Sequence, residues 1–288
     1  MRKAAVIDIG SNSVRLMLWA DGKVLYKTLK TTRLGEGTAF SPVLKGEAID
    51  RTAAAVAEFS LQARKEGAEE VFTYATEAVR SARNGGAFLE RVKERSGLAV
   101  EVLSGDTEAK LGLYGALGKH ADGGIIDVGG ASTEVCFRKK GELVFSVSIP
   151  LGAVRLFDLC HDDRALLQET VAPFLNALNE PPKELPVYGV GGTATTIASV
   201  CLRLERYSSA AVQGFCLKKK VLHALAAQLL SLSAEERKQL PGMDARRADI
   251  IGGGAFLLAS VLEKLERDEL VVSDSDNLEG YLAYKGIQ

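Results

Sequence analysis

Apolar residues along this chain follow two rhythms, short strand-like runs and longer stretches at helical spacing. The first run ends at Ile7-Asp8-Ile9 and enters a small-residue turn, Gly10-Ser11-Asn12-Ser13. A second strand, a turn at Gly22 and a third strand complete the opening unit. Helices are predicted over 48–66, 88–96 and 108–117, with strands over 70–76 and 99–103 between them. Farther on, a strand at 185–190 enters Gly191-Gly192-Thr193 and a helix. Residues 221–230, 235–240 and 248–264 read as helical, 270–273 as a strand, and a helical tail begins near 278. Strands interleaved with helices throughout predict an α/β protein.

The opening unit occurs twice. Ile7 to Ser13 recurs as Ile126-Asp127-Val128-Gly129-Gly130-Ala131-Ser132, 119 residues later, and the alignment holds without a gap as far as Gly22 against Gly141. Apolar positions keep step beyond the turn: Leu16 with Val135, Leu18 with Phe137, Val24 with Leu143, Tyr26 with Phe145. Such a repeat predicts two domains of related fold, 1–120 and 121–288, divided in the Gly118 to Gly123 stretch. The helix from about 278 is expected to pack back on the first domain.

Composition narrows the function classes. The 288 residues carry 36 basic and 37 acidic side chains, a net charge of −1 without the basic bias of a nucleic-acid binder. At 47% hydrophobic and 25% charged residues, the chain has the make-up of a folded domain. Cys136, Cys160, Cys201 and Cys216 stand too far apart for a zinc cluster and suit buried thiols in a reducing cytoplasm. Met1-Arg2-Lys3-Ala4 leads straight into a strand pattern, with no signal-peptide pattern. The greasiest run, 255–262, is too short to cross a bilayer. The expectation is a cytoplasmic protein with no membrane or nucleic-acid partner.

Three strand-to-turn segments, at Asp8–Ser13, Asp127–Ser132 and Gly189–Thr193, share a physical feature. Turns without bulky side chains present backbone N–H groups to an anion, and hydroxyls at Ser11, Ser13, Ser132, Thr133 and Thr193 add donors. Asp8 and Asp127, just before their turns, are placed to hold a divalent cation against phosphate. The repeat also differs within itself: Arg15 of the first copy aligns with Glu134 of the second. Arg80 falls in the first turn of a short helix, and Ser104-Gly105-Asp106-Thr107-Glu108 caps another. Glu108 there is either a complement to the helix dipole or a general base.

Taken together, these segments resemble the exopolyphosphatase and guanosine pentaphosphate phosphohydrolase family. Leu34-Gly35-Glu36-Gly37, Ala75-Thr76-Glu77-Ala78-Val79-Arg80, Gly191-Gly192-Thr193-Ala194-Thr195 and Arg247-Ala248-Asp249-Ile250-Ile251 join the two Asp-containing motifs in the family's order. The resemblance implies two duplicated actin-like (ribonuclease H-like) domains with a cleft between them. It implies Mg2+-assisted release of orthophosphate from the end of inorganic polyphosphate, with guanosine pentaphosphate as the alternative substrate and a non-catalytic phosphate sensor as a third reading. Carried over by motif, Glu108 would activate water with Arg80 beside it, and Asp127 and Glu134 would hold magnesium. Asp8, Ser11, Asn12, Ser13, Arg15, Gly129, Gly130, Ala131, Ser132, Thr133, Gly191, Gly192 and Thr193 would bind substrate. Family members are often homodimers.

Two positions depart from the family pattern. Ala131 stands where a third glycine is usual, and Leu278 where an arginine is common. His161-Asp162 is a lone dipeptide to which a surface or structural role is assigned, and Lys218-Lys219-Lys220 reads as a solvated helix start.

Overall fold

The computed structural model describes residues 2–179 and 181–287. The chain forms two compact units, Met1–Glu108 with Tyr281–Gln288, and Ala109–Gly280. The first contains β1 (Lys3–Ile9), β2 (Ser13–Ala20), β3 (Lys23–Thr31), α1 (Gly46–Lys65), β4 (Glu70–Ala75), α2 (Glu77–Arg80), α3 (Gly85–Ser96), β5 (Glu101–Val102) and the start of α4 (Gly105–Leu117). In the second, β6 (Gly123–Val128), β7 (Thr133–Lys139) and β8 (Glu142–Ile149) precede α5 (Ala153–Cys160), α6 (Arg164–Leu175), β9 (Val187–Val190) and α7 (Gly191–Cys201). There follow α8 (Ser209–Val212), β10 (Cys216–Lys218), α9 (Lys219–Ser231), α10 (Ala234–Lys238), a 3-10 turn (Ala245–Arg247), α11 (Ile251–Lys264), β11 (Glu269–Val272) and α12 (Asn277–Tyr284).

The sheets repeat one topology. The first runs β3-β2-β1-β4-β5 and the second β10-β11-β9-β6-β7-β8. In each, three antiparallel strands lead into parallel pairing, β1 with β4 and β6 with β9. Fine detail is duplicated as well. A bulge between Leu18 and Trp19 recurs between Phe137 and Arg138, at the same spacing as the sequence repeat. The second hairpins turn at Asp21-Gly22 and Lys140-Gly141, with φ of +44° and +82° against +53° and +82°. Two left-handed residues in succession are the geometry that matches strand twist in a two-residue hairpin. These are two actin-like α/β units.

Burial follows position in the sheet. β1, flanked by strands on both edges, is buried along nearly its whole length. β8 lies at the edge and alternates between exposed and half-buried residues. The first core gathers Ile7, Ile9, Leu16, Val56, Phe59 and Phe88, and the second Ile126, Phe137, Leu156, Ile197, Leu229 and Leu258. Within the first unit the end of α12 is tied down by Tyr281, which stacks on Tyr74 at 4.8 Å and donates to Glu101 at 2.6 Å.

The elements differ from the sequence reading in a few places. The strand expected over 99–103 shrinks to the two residues of β5, and α11 starts at Ile251 because the preceding residues form a 3-10 turn. Helices α5 and α6 lie outside the segments the pattern marks. The first is only eight residues long, and the second carries Pro173 in its interior. Among the described residues no helix is long and apolar enough to cross a membrane.

His161 and Asp162 have structural roles. His161 ends α5 with φ +45° and sets its ring edge-on to Phe157 at 5.1 Å. Asp162 accepts a hydrogen bond at 2.7 Å from Arg237, whose residue is wholly buried. The Arg237 guanidinium also donates to the carbonyls of Leu229 (2.6 Å), Ala248 (3.0 Å) and Asp249 (3.3 Å). One buried cation thereby joins α9, the turn leading into α11 and the turn after α5. Arg237→Met removes that hub and leaves its acceptors without a donor, so it should lower stability by about 3 kcal/mol. A denaturant titration checks this, and a loss below about 1 kcal/mol would count against the hub.

Candidate active site

In the first unit, strand pairing sets Asp8 directly opposite Arg15. The Arg15 Nε donates to Asp8 Oδ2 at 2.8 Å, so the buried carboxylate carries its own counter-charge. The turn between them is closed by Gly10 N–H on the Ser13 carbonyl at 3.0 Å. Its other carbonyls face the 32–37 loop: Ser11 accepts from Gly35 N–H at 2.8 Å, and Asn12 from Thr32 and Arg33 at 3.0 and 2.8 Å. Among the described residues no backbone bond takes up the N–H of Ser11 or Asn12. Side chains of Ser11, Asn12 and Ser13 are buried around these two donors.

Glu108 and Arg80 meet in the same unit. The Ser104 hydroxyl accepts from Thr107 N–H at 3.2 Å, which caps α4 and places Glu108 in its first turn, 7% exposed. Arg80, closing α2, donates to Glu108 Oε2 at 3.2 Å, to the Leu103 carbonyl at 2.5 Å and to Glu77 Oε2 at 2.6 Å. Burial disfavours the charged guanidinium, but the Glu108 and Glu77 carboxylates outweigh it and hold the Arg80 pKa above its ordinary value. The result is a buried carboxylate steadied by a permanent cation.

The second unit repeats the turn with opposite electrostatics. Gly129 N–H donates to the Ser132 carbonyl at 3.0 Å, matching Gly10 and Ser13. The Gly129 and Gly130 carbonyls accept from Ala153 and Val154 at the start of α5, at 2.8 and 2.9 Å. Among the described residues no backbone bond takes up the N–H of Gly130 or Ala131. Here, however, the residue opposite Asp127 is Glu134, 2% exposed, with one oxygen accepting from the Ser148 hydroxyl at 3.0 Å. Like charges on facing strand positions oppose one another, by about 3 kcal/mol at ~5 Å in an effective dielectric of ~20. The field reaches Cys136, whose thiol pKa is raised well above normal by burial and then by Glu134 and Asp127.

Gly191 and Gly192 bring α7 against this turn. Gly191 has φ +76°, and a Cβ there would lie 2.4 Å from Asp127 Oδ1. A Cβ at Gly192 would lie 2.0 Å from Nη2 of Arg247, so the guanidinium rests on the helix start. The Thr133 and Thr193 hydroxyls are buried and donate to the Leu151 and Val128 carbonyls at 2.7 and 2.8 Å, which fixes the shape of the turn. Ala131 is buried within it, and Leu278 is buried one residue after Asn277.

Two residues join the site that turn patterns alone did not single out. Arg247 lies in a segment the sequence reading marked only by resemblance. Asn277 directs Nδ2 toward Asp127 Oδ2 at 3.5 Å, while its buried Oδ1 has no hydrogen-bond partner. Among the described residues no cluster of three or more His, Cys, Asp or Glu could hold a metal. Magnesium needs fewer: it commonly binds one or two carboxylates and completes its shell with water and substrate phosphate. Opposed carboxylates and an unpartnered amide oxygen fit that donor set.

A duplicated actin-like fold with an amide-lined turn in each unit defines a phosphoryl-handling protein. Residues 7–285 match the model of the Ppx/GppA phosphatase family. The chain is 31% identical to "Exopolyphosphatase 2" of Mycobacterium tuberculosis over 97% of both chains. It is 27% identical to "Guanosine-5'-triphosphate,3'-diphosphate pyrophosphatase" of Vibrio atlanticus over 98% of this chain and 58% of that protein. The crystal structure of the Aquifex aeolicus Ppx/GppA member superposes with a TM-score of 0.80 at 30% identity, covering 99% of this chain and 97% of that one. The chain belongs to the Ppx/GppA phosphatase family and is a hydrolase of phosphoanhydride bonds.

The glycine geometry gives a graded prediction. Gly191→Ala faces both a left-handed backbone and the Asp127 carboxylate, and should cost about 2 kcal/mol. Gly192→Ala meets the far end of the Arg247 side chain, which can swing aside more readily than backbone, and should cost less than about 1 kcal/mol. Equal destabilisation in parallel unfolding curves would contradict the arrangement.

Proposed function

We propose that this protein is an exopolyphosphatase, releasing orthophosphate from the end of inorganic polyphosphate by attack of water on the terminal phosphorus. The observation that carries the reading is the charge asymmetry of the repeated turn. Asp8 pairs with Arg15, whereas the strand position opposite Asp127 holds a second carboxylate, Glu134. Asp127, Glu134 and Asn277 Oδ1 would hold magnesium, which would supply divalent charge to neutralise phosphate oxygens.

Phosphoryl transfer depends on position and charge neutralisation more than on covalent help from the protein. Each unit's turn offers N–H donors for phosphate oxygens, from Ser11 and Asn12 in the first and from Gly130 and Ala131, with Arg247 near Gly192, in the second. Arg15 keeps Asp8 oriented, and the Thr133 and Thr193 hydroxyls keep the second turn in shape. Glu108 accepts the proton of the attacking water as the new P–O bond forms. The bridging P–O bond breaks, and the shortened chain leaves with the electron pair. Arg80 holds Glu108 in place through that transfer.

A second reading, removal of the 5′ γ-phosphate of guanosine pentaphosphate, is supported by the likeness to the Vibrio protein and uses the same residues. Phosphate release from short polyphosphate, long polyphosphate and guanosine pentaphosphate, with and without magnesium, separates the two. Release from none of them would leave a binding protein.

Glu108→Gln should lower kcat by about a hundredfold or more with polyphosphate affinity nearly intact. Wild-type turnover in that variant excludes Glu108 as the base. Asp127→Ala should raise the magnesium concentration for half-maximal activity at least about tenfold. An unchanged metal titration removes Asp127 from the metal site.

A further inference from the structure

Arg80 steadies Glu108, and a second carboxylate, which the reaction described above does not use, steadies Arg80. Glu77 opens the single turn of α2 and Arg80 closes it. Glu77 Oε2 accepts from Arg80 Nε at 3.1 Å and from Nη2 at 2.6 Å, so the side edge of the guanidinium grips one oxygen. Its Nη1 donates instead to the Leu103 carbonyl at 2.5 Å and to Glu108 Oε2 at 3.2 Å. From Arg80, then, Glu108 receives one long hydrogen bond, whereas Glu77 receives two, one of them short. An ion pair three residues apart on a helix is ordinarily a solvated surface contact. This one is largely withdrawn from water: the Glu77 and Arg80 side chains are 17% and 24% exposed, and the third member, Glu108, 9%.

We propose that Glu77 is a positioning residue for the hydrolysis: it holds the guanidinium edge of Arg80 so that the arginine orients Glu108 through Nη1 alone. The inference rests on Glu108 as the base and deepens that reading. A base must gain a proton as water attacks, and a cation bonded to both of its oxygens would oppose that gain. Arginine pairs readily with a carboxylate in this two-point manner when its side edge is free. With Nε and Nη2 committed to Glu77, side-on pairing is closed to Glu108, and the Leu103 carbonyl shares the nitrogen that remains. The two carboxylates also divide one positive charge between them, which leaves Glu108 able to accept the proton.

The experiment measures steady-state phosphate release at saturating magnesium, from whichever of polyphosphate and guanosine pentaphosphate turns over. It compares Glu77→Gln, Glu77→Ala, Glu108→Gln and the double variant Glu77→Ala/Glu108→Gln. Gln keeps an acceptor for Arg80 and removes the charge, whereas Ala removes both. The kcat should fall about threefold in Glu77→Gln and about tenfold or more in Glu77→Ala, with KM within about twofold of wild type. In the Glu108→Gln background, where no base remains to be positioned, Glu77→Ala should change kcat less than about twofold. Hydrogen exchange at the Arg80 Nε–H, followed by NMR, should be faster in Glu77→Ala than in wild type. Wild-type kcat in both Glu77 variants overturns the proposal, as does the same loss in both backgrounds or a change confined to KM. Unchanged exchange at Arg80 removes the clamp whatever the activity does. If Glu108→Gln alone keeps wild-type turnover, it is the base reading that fails, and the exchange rates still decide whether Glu77 holds Arg80.

Discussion

The second unit is organised around two carboxylates on facing strand positions, Asp127 and the deeply buried Glu134. Asp8 has an arginine across the strands, whereas here a second carboxylate stands opposite, and the field of the pair reaches the Cys136 thiol. The surroundings accommodate the pair. Gly191 leaves room for Asp127 Oδ1, Ser148 satisfies one oxygen of Glu134, and Asn277 turns its amide to Asp127. Duplication supplied one scaffold twice, and a change of sign at one position gave each copy a different electrostatic task.

Much of the fold was legible because the repeat carries its geometry in local chemistry. Continuous apolar runs mark the strands buried on both faces, alternation marks the edge strand β8, and small residues at fixed spacing mark the turns. The match extends to the bulges and the left-handed turn residues, neither of which alignment of side chains alone displays. Helices α5 and α6 were less visible. An eight-residue helix offers barely two turns of periodicity, and Pro173 argues locally against the helix that contains it.

The site divides along the same line. The repeat marks Asp8, Arg15, Asp127 and Glu134 in the sequence by aligning Arg15 with Glu134, and strand register then sets each opposite its aspartate. Arg247 could not be assigned a role this way, since packing of a distant 3-10 turn carries it to Gly192. Thr133 and Thr193 illustrate the converse. Their hydroxyls suit an anion by type, yet nearby carbonyls take their protons, and only three-dimensional proximity reveals those acceptors.

The Arg237 hub bears on motion as well as on stability. Its guanidinium grips the carbonyls immediately after Arg247 and reaches back to α9 and Asp162. The segment presenting Arg247 therefore cannot fray by itself, because release requires several acceptors to lose a buried charged donor together. Amide hydrogens around Ala248 to Ile251 would exchange with solvent at the slow pace of the α9–α11 core, although a surface turn immediately precedes them.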